Sequence, residues 1–232
     1  MNFSHYPLTI IIIIANVIFS YVGFTNQDVL TKAIGWPYYE KREKQYYRFI
    51  TSGFLHADWK HLIFNMFTFY FFGSNIEFLL SADGLGGSFS FLALYFGGMI
   101  VADIPSYIKH QNNEGYRSLG ASGAVSAILF ATIIFNPWGQ IAVYGAIKLS
   151  MVLYAILYII YTIYMSKQNS DNINHDAHLW GSIFGLVFTI ALVAISRPDC
   201  FPYILEDLKN VKVFGTNQIS SLLKHLGFYV ES

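Results

Sequence analysis

Six apolar stretches, separated by polar connections, are the feature that most constrains the fold of this chain. They cover residues 8–24, 61–80, 89–104, 121–136, 149–165 and 177–195. A membrane-spanning helix needs about 20 residues, and lipid offers no partner to bare backbone N–H and C=O groups. The pattern therefore predicts an all-α, polytopic membrane protein with six transmembrane helices.

The composition agrees with a membrane protein and excludes several other classes. Hydrophobic residues make up 54% of the chain and charged residues 12%, where a soluble domain carries about 25% charged residues. The formal net charge is zero, so nothing suggests a nucleic-acid partner. The single cysteine, Cys200, excludes an internal disulfide and argues against a cysteine-based metal cluster.

The segments divide the chain into a membrane domain and two tails. The six-helix domain is expected over residues 8–196, with a short tail at 1–7 and a polar tail at 197–232. The connection at 25–60 is the longest. It is too long for a simple turn and predicts a loop domain that is partly inserted in the membrane.

The fourth segment is too short to cross a bilayer. From Ser122 to the break at Asn136 it has about 14 residues, or roughly 21 Å at 1.5 Å per residue, against a hydrocarbon core of about 30 Å. The helix must then begin below one membrane surface. The Gly-Ala-Ser-Gly sequence at 120–123 would be non-helical backbone at membrane depth, which requires surrounding protein or a water-filled cavity. An earlier start near Tyr116 is disfavoured by Arg117.

Polar side chains within or beside these segments form three clusters. Such residues are costly in lipid and are functional candidates by default. His56, His61 and Asn65 make the first cluster, and the last two share a helix face because they are four residues apart. The second cluster is the sequence at 120–123, and the third is His178.

These clusters contain the groups that acyl transfer requires. Ser122 can be a nucleophile at a helix N-terminus, where backbone N–H groups are free and the helix dipole is positive. His178 can act as its base, while His61 and Asn65 can donate to an oxyanion. We expect Asp176 to lie in the loop before the last helix, so the prediction is a Ser–His dyad.

Small residues predict how the fourth and last segments pack. They recur at four-residue spacing as Gly123, Ala127 and Ala131 in one segment and Gly181 and Gly185 in the other. Such spacing lets two helices approach closely in a membrane. His178 lies three residues before Gly181 on the same face, so this packing would bring it near Ser122. The flanking Gly120 and Gly123 would let substrate backbone approach the serine.

Other interpretations of these residues are weaker. The Gly-x-Ser-Gly pattern alone has little specificity, and a lone histidine in an apolar helix is more often structural. The first cluster could bind a metal, but no His-Glu-x-x-His pattern accompanies it, so a metal is not expected. The remaining histidines lie in polar flanks and are expected to be solvated: His5, His110, His175 and His225.

Taken together, the clusters resemble the rhomboid intramembrane serine proteases over roughly residues 8–196. The resemblance rests on Tyr47-Arg48, His56, His61, Asn65, Gly73, Glu77, the Gly-Ala-Ser-Gly sequence, Ala177-His178, Gly181 and Gly185. It implies that Ser122 is the nucleophile and His178 the general base. The oxyanion and substrate-binding residues would be His61, Asn65 and the Ser122 N–H, with His56, Gly120 and Gly123 beside them.

The resemblance also implies a location and a substrate class. The protein would be a multi-pass protein of the cell's inner or plasma membrane, with a cytoplasmic N-terminus and a site that opens outward. Its substrates would be single-span membrane proteins with helix-destabilising residues near the cut, and no cofactor would be needed. A non-catalytic rhomboid-like binder of membrane clients is the alternative, and a small transporter is a third possibility.

Two residues depart from the family pattern. Ser126 stands where family members often have an aromatic side chain that packs against the base. Its presence predicts a looser ring at His178. Trp180 stands where a small residue is common, which predicts altered packing of the last helix.

Overall fold

The computed structural model describes residues 6–82, 84–143, 147–168, 174–211 and 221–227. The first part of the chain forms α1 (Pro7–Thr25), α2 (Gln27–Ala33), α3 (Pro37–Arg42) and α4 (Arg48–Thr51). The central part forms α5 (Trp59–Leu80), α6 (Gly87–His110), α7 (Ser122–Phe135), α8 (Met151–Gln168) and α9 (His175–Ser196). Two short helices follow, α10 (Phe201–Lys209) and α11 (Ser221–His225).

Each predicted apolar segment corresponds to a helix, namely α1 and α5 to α9. Among the described residues, α1, α5, α6 and α9 are long and apolar enough to cross a membrane, whereas α7 and α8 are shorter apolar helices. These helices make the chain an integral membrane protein. The count of six spans stays a prediction.

One connection departs from the all-α expectation. Strands β1 (Gln140–Val143) and β2 (Ile147–Ser150) pair antiparallel, and α8 begins at Met151 where the sequence predicted 149. The strands contain several β-branched residues, whose stiff side chains favour extended backbone. The pairing continues up to the helix, because the Met151 N–H donates to the Gly139 carbonyl at 2.9 Å.

Helix α6 continues past the expected end at residue 104. It passes through Pro105 and ends at His110. Proline removes one backbone donor, a loss that membrane helices tolerate where neighbours support the backbone. Such neighbours are present here, since the Asn174 amide donates to Ser106 Oγ at 2.9 Å and the Phe49 and Tyr107 rings are 5.5 Å apart. Tertiary contacts therefore keep the backbone helical beyond Pro105, where the sequence alone predicts the end of the helix.

Helix α7 lies at the centre of the bundle. Except for Ser122 and Ile134, every one of its residues is buried, and α5, α6 and α9 pack around it. A helix that is apolar on all sides is stable only when it is enclosed in this way. The central position leaves Ser122, its first residue, at one end of the enclosed helix.

The first connection is folded against the connection before α7. Gly35 and Ser118 exchange backbone hydrogen bonds of 2.9 and 3.0 Å, and the Arg117 guanidinium lies 3.4 Å from the centroid of the Trp36 ring. The Arg48 guanidinium donates to the Ile34 carbonyl at 2.6 Å. These contacts form a compact unit beside the start of α7. Its partial insertion into the membrane stays a prediction.

The tail after Arg197 is folded where the structure describes it. Ile204 and Leu222 join the hydrophobic core. The Arg197 guanidinium and His225 Nε2 both lie 2.8 Å from the Asp199 carboxylate. His225 therefore forms a hydrogen bond with Asp199, and 26% of its side chain is exposed.

Glu77 of α5 holds the start of α1. Its carboxylate accepts from the backbone N–H groups of Leu8 and Thr9 at 2.8 and 2.7 Å and from the Thr9 hydroxyl at 2.7 Å. A Cβ on Gly73, one turn earlier, would lie 3.2 Å from Thr9 Cγ2 and 2.9 Å from Phe69 Cε2, so glycine lets α1 approach α5 without displacing these side chains. These two residues of the family pattern thus connect α1 to α5.

Replacing Glu77 with alanine is expected to destabilise the bundle by about 1–3 kcal/mol, since it leaves buried donors at the start of α1 without their acceptor. The midpoint of thermal unfolding in detergent measures the change. Glu43 is exposed and gives the matched control, Glu43→Ala, with an expected midpoint near that of the wild type. Equal midpoints for the two variants would contradict the role of Glu77.

Candidate active site

The turn that leads into α7 has a fixed backbone. Gly120 has φ +119°, a conformation that favours glycine, and its N–H donates to the Ser52 carbonyl at 3.0 Å. Ala121, the N-cap residue, makes no side-chain cap, and the N–H of Val125 bonds to its carbonyl. The N–H groups of Ser122 and Gly123 thus precede the hydrogen-bond ladder of the helix, at its positive end.

Helices α7 and α9 pack with their backbones in contact. A Cβ on Gly181 would stand 2.9 Å from the carbonyl carbon of Gly123 and closer still to its oxygen. A Cβ on Gly185 would stand 2.7 Å from the carbonyl carbon of Ala127. Such separations leave no room for any side chain at either position. The predicted contact between the two small-residue faces is therefore present.

This packing places the start of α9 beside the start of α7. The contacts pair Gly123 with Gly181 and Ala127 with Gly185, so the two helices run in the same direction. The Ala177 carbonyl oxygen would lie 3.5 Å from a Cβ on Gly123. His178 follows Ala177 and Ser122 precedes Gly123, so both belong to the same level of the bundle.

The first histidine cluster meets the same turn. His61 lies in the first turn of α5, where its N–H donates to Asp58 Oδ1 at 2.8 Å. Its ring faces Gly120, because a Cβ on Gly120 would stand 2.8 Å from His61 Cε1 and 3.0 Å from Nε2. Asn65, one turn later, is buried and donates to the His61 carbonyl at 3.2 Å. The His61 ring of the first cluster thus lies at the turn that holds the second cluster. That Asn65 and His178 reach the Ser122 hydroxyl stays a prediction.

His56 supports the ring of His61. It is 2% exposed, its Nδ1 lies 2.8 Å from Ser20 Oγ, and the two histidine rings are 5.0 Å apart. Burial lowers the pKa of His56 to about 3, because low dielectric disfavours the charged imidazole. His56 is therefore neutral at neutral pH and can contact other groups only as an uncharged ring.

The two glycines of the predicted substrate-binding group are explained by packing. The Gly120 N–H is engaged by Ser52, so it is not available as an oxyanion donor. A side chain on Gly123 would overlap Ala102 Cβ of α6. Their approach to substrate stays a prediction, while their need to be glycine follows from the fold.

Two predictions about the start of α9 differ from the structure. Asp176 lies in the first turn of the helix, where its carboxylate accepts from Ser166 Oγ and pairs with Lys109 Nζ at 3.6 Å. His175 is 4% exposed, although it was expected to be solvated. The helix begins earlier than predicted, because the Asn174 side chain caps it by accepting from the Ala177 N–H. That start places His175 one turn before His178, with the rings 5.9 Å apart.

Sequence reasoning also missed a tyrosine beside the proposed base. The rings of Tyr158 and His178 have centroids 6.3 Å apart and an interplanar angle of 17°. The Tyr158 hydroxyl lies 3.0 Å from Ser126 Oγ. His178 therefore has an aromatic ring nearby despite the serine at 126. The looser ring expected from Ser126 stays a prediction. Trp180, the other departure, is 43% exposed on the outer side of α9.

Comparisons with known proteins converge on one family. A family model for the rhomboid domain matches residues 43–195. RHOMBOID-like protein 12, mitochondrial, of Arabidopsis thaliana is 32% identical over 144 residues, which cover 57% of this chain and 42% of the plant protein. YdcA, a rhomboid protein of Bacillus subtilis, is 31% identical over 149 residues, which cover 64% of this chain and 68% of the bacterial protein. Rhomboid protease GlpG of Haemophilus influenzae is 29% identical over 108 residues, which cover 47% of this chain and 50% of GlpG.

Proposed function

The chain belongs to the rhomboid family, and on that premise we propose that it is a serine endopeptidase that cleaves transmembrane segments of membrane proteins. Ser122 is the nucleophile and His178 the general base. The observation that carries the proposal is the contact of Gly181 and Gly185 with the backbones of Gly123 and Ala127. This contact supports a meeting of the Ser122 hydroxyl and the His178 imidazole.

The reaction proceeds through an acyl-enzyme. Ser122 Oγ attacks the scissile carbonyl carbon while its proton passes to His178. The resulting oxyanion accepts hydrogen bonds from the Ser122 N–H, His61 and Asn65. His178 then protonates the leaving amine as the C–N bond breaks. In the second half, His178 removes a proton from water, and the hydroxide attacks the carbonyl carbon of the Ser122 ester. The bond from that carbon to Ser122 Oγ breaks, and Oγ takes the proton back from His178.

The short central helix suits chemistry on a peptide bond inside a membrane. Helix α7 has 14 residues, or roughly 21 Å, and α5, α6 and α9 pack around it. Ser122 would then lie below the lipid surface in a cavity that water can enter. The partners of this protein are the lipid bilayer and membrane proteins with a transmembrane helix.

A cleavage assay tests the proposal. The purified protein is reconstituted in liposomes with a panel of single-span substrates, and the two product fragments are identified by mass spectrometry. We expect cleavage by the wild type and by Ser196→Ala, a control at an exposed serine, but none by Ser122→Ala. Equal cleavage by Ser122→Ala would overturn the proposal. Client binding without cleavage would favour the non-catalytic alternative, and solute flux that survives Ser122→Ala would favour a transporter.

Replacing Asn65 with alanine is expected to reduce the cleavage rate on the order of 10²-fold, the usual effect of losing one oxyanion donor. The loss should fall on kcat, because the donor acts on a charge that develops in the transition state. Asn112→Ala, at an exposed asparagine, is the matched control and should retain the wild-type rate. An unchanged rate for Asn65→Ala would remove this residue from the oxyanion site.

A further inference from the structure

Tyr158 of α8 lies between the helices that carry the proposed nucleophile and base. Its ring is nearly parallel to the His178 ring, at an angle of 17° and a centroid distance of 6.3 Å. This geometry falls within the range of offset aromatic stacking, in which centroids lie about 4.5–7 Å apart. The Tyr158 ring therefore lies alongside the His178 imidazole in a nearly parallel orientation.

The hydroxyl end of Tyr158 is fixed to α7. It lies 3.0 Å from Ser126 Oγ, and Ser126 is only 6% exposed. Ser126 is four residues after Ser122, so the two share a helix face. The ring of Phe130, one further turn along that face, lies 5.5 Å from the Tyr158 ring. Tyr158 thus contacts the face of α7 that begins with the nucleophile.

We propose that Tyr158 is a positioning residue that orients the imidazole of His178 toward Ser122. The inference rests on the proposed function. The hydrogen bond to Ser126 sets the place of the tyrosine ring, and the ring restricts rotation of the imidazole. Rotational restriction matters because a base misplaced by about 1 Å can cost on the order of 10²-fold in rate. Tyr158 acts through His178 and need not touch the substrate.

The proposal gives Ser126 a defined role. A serine side chain has no ring to stack on His178, but the Ser126 hydroxyl is the hydrogen-bond partner of Tyr158. The two residues form one unit in which α8 supplies the ring and α7 the anchor. The docking of α8 against α7 and α9 therefore controls the orientation of the base.

Removal of the ring is expected to affect kcat more than KM. Tyr158→Ala should lower kcat on the order of 10²-fold, since it removes the ring beside His178 and lets the imidazole shift from its place. Tyr158→Phe keeps the ring and removes one hydrogen bond, so its kcat should be only about threefold to tenfold below that of the wild type. Tyr164→Ala is the matched control on the same helix, because Tyr164 is 59% exposed, and it should retain the wild-type rate. A loss confined to KM, or equal rates for Tyr158→Ala and the control, would overturn the proposal.

A double-mutant cycle and a rescue separate positioning from a general loss of packing. Tyr158→Phe and Ser126→Ala remove the same hydrogen bond, so their combination should be no slower than either one alone. Additive losses would contradict the shared anchor. Ser126→Tyr places a ring in the space that Tyr158→Ala vacates. The variant with both substitutions should have a kcat at least about tenfold above that of Tyr158→Ala. Failure of this rescue in a variant that keeps the unfolding midpoint of the Tyr158→Ala parent would also count against the proposal.

The same assay keeps this inference distinct from the proposed function. Wild-type cleavage that depends on Ser122 but not on the Tyr158 ring would overturn the positioning role alone. Cleavage that does not depend on Ser122 would overturn the protease proposal. If Tyr158→Ala does not fold, the cycle of Tyr158→Phe and Ser126→Ala decides the question, because both substitutions are small.

Discussion

Alanine at Ser122 or at His178 is expected to lower the rate of intramembrane cleavage by on the order of 10⁴-fold or more, and alanine at both positions should add little further loss. In the proposed dyad the two groups act as a unit, since the hydroxyl needs the imidazole to accept its proton. Removal of either one would therefore remove the whole contribution, as in the Ser-His-Asp proteases.

This prediction is measured as initial cleavage rates in liposomes for the two single variants and the double variant. Ser196→Ala accounts for a serine-to-alanine change at an exposed position, and thermal unfolding shows whether each variant is folded. Losses that multiply in the double variant would mean that the two residues act independently, which contradicts the dyad.

Alanine at Gly181 or Gly185 is the second substitution expected to have a large effect. A Cβ at either position would overlap the backbone of α7, because it would stand 2.9 or 2.7 Å from a carbonyl carbon and closer still to the oxygen. Backbone cannot give way as a flexible side chain can, so α9 must move outward. Overpacking of this kind costs about 1–3 kcal/mol, and displacement of His178 by about 1 Å should cost on the order of 10²-fold in cleavage.

Cleavage rates and unfolding midpoints of Gly181→Ala and Gly185→Ala measure these effects. Gly115→Ala is the matched control, since a Cβ there would meet only Asn113 Oδ1 at 3.4 Å. It should keep both wild-type activity and the wild-type midpoint. Full activity in Gly181→Ala would show that α9 does not need close contact with α7 to position its histidine.

The helices could be predicted because hydrophobic length is a local property of the sequence. Six apolar runs gave the positions of α1 and α5 to α9, and the break at Asn136 marked the short α7. The end of α6 could not be predicted in this way. Pro105 is a local stop signal, and it is overridden by neighbours such as Asn174 and Phe49 that only the folded bundle provides. The hairpin between α7 and α8 was missed because its strands are short.

The clusters of the candidate site could be predicted from residue type and helical spacing. The small-residue ladders indicated the face on which α9 contacts α7, and the family resemblance is confirmed by the comparisons. The neighbours of His178 were missed. Burial of His175 depends on where α9 starts, and the part played by Tyr158 depends on which face of α8 turns toward α9. Neither the start of α9 nor the orientation of α8 can be predicted from an apolar run, because such a run does not distinguish one helix face from another.

Covalent labelling with a fluorophosphonate tests the central claim, that the Ser122 hydroxyl is activated by His178, without any need to know the substrate. The probe reacts with activated serines, and peptide mass spectrometry locates the adduct. We expect one adduct, on Ser122, with no labelling of Ser122→Ala and a strongly reduced labelling rate for His178→Ala. An adduct on a different residue, or labelling of Ser122 at an undiminished rate without His178, would contradict the account.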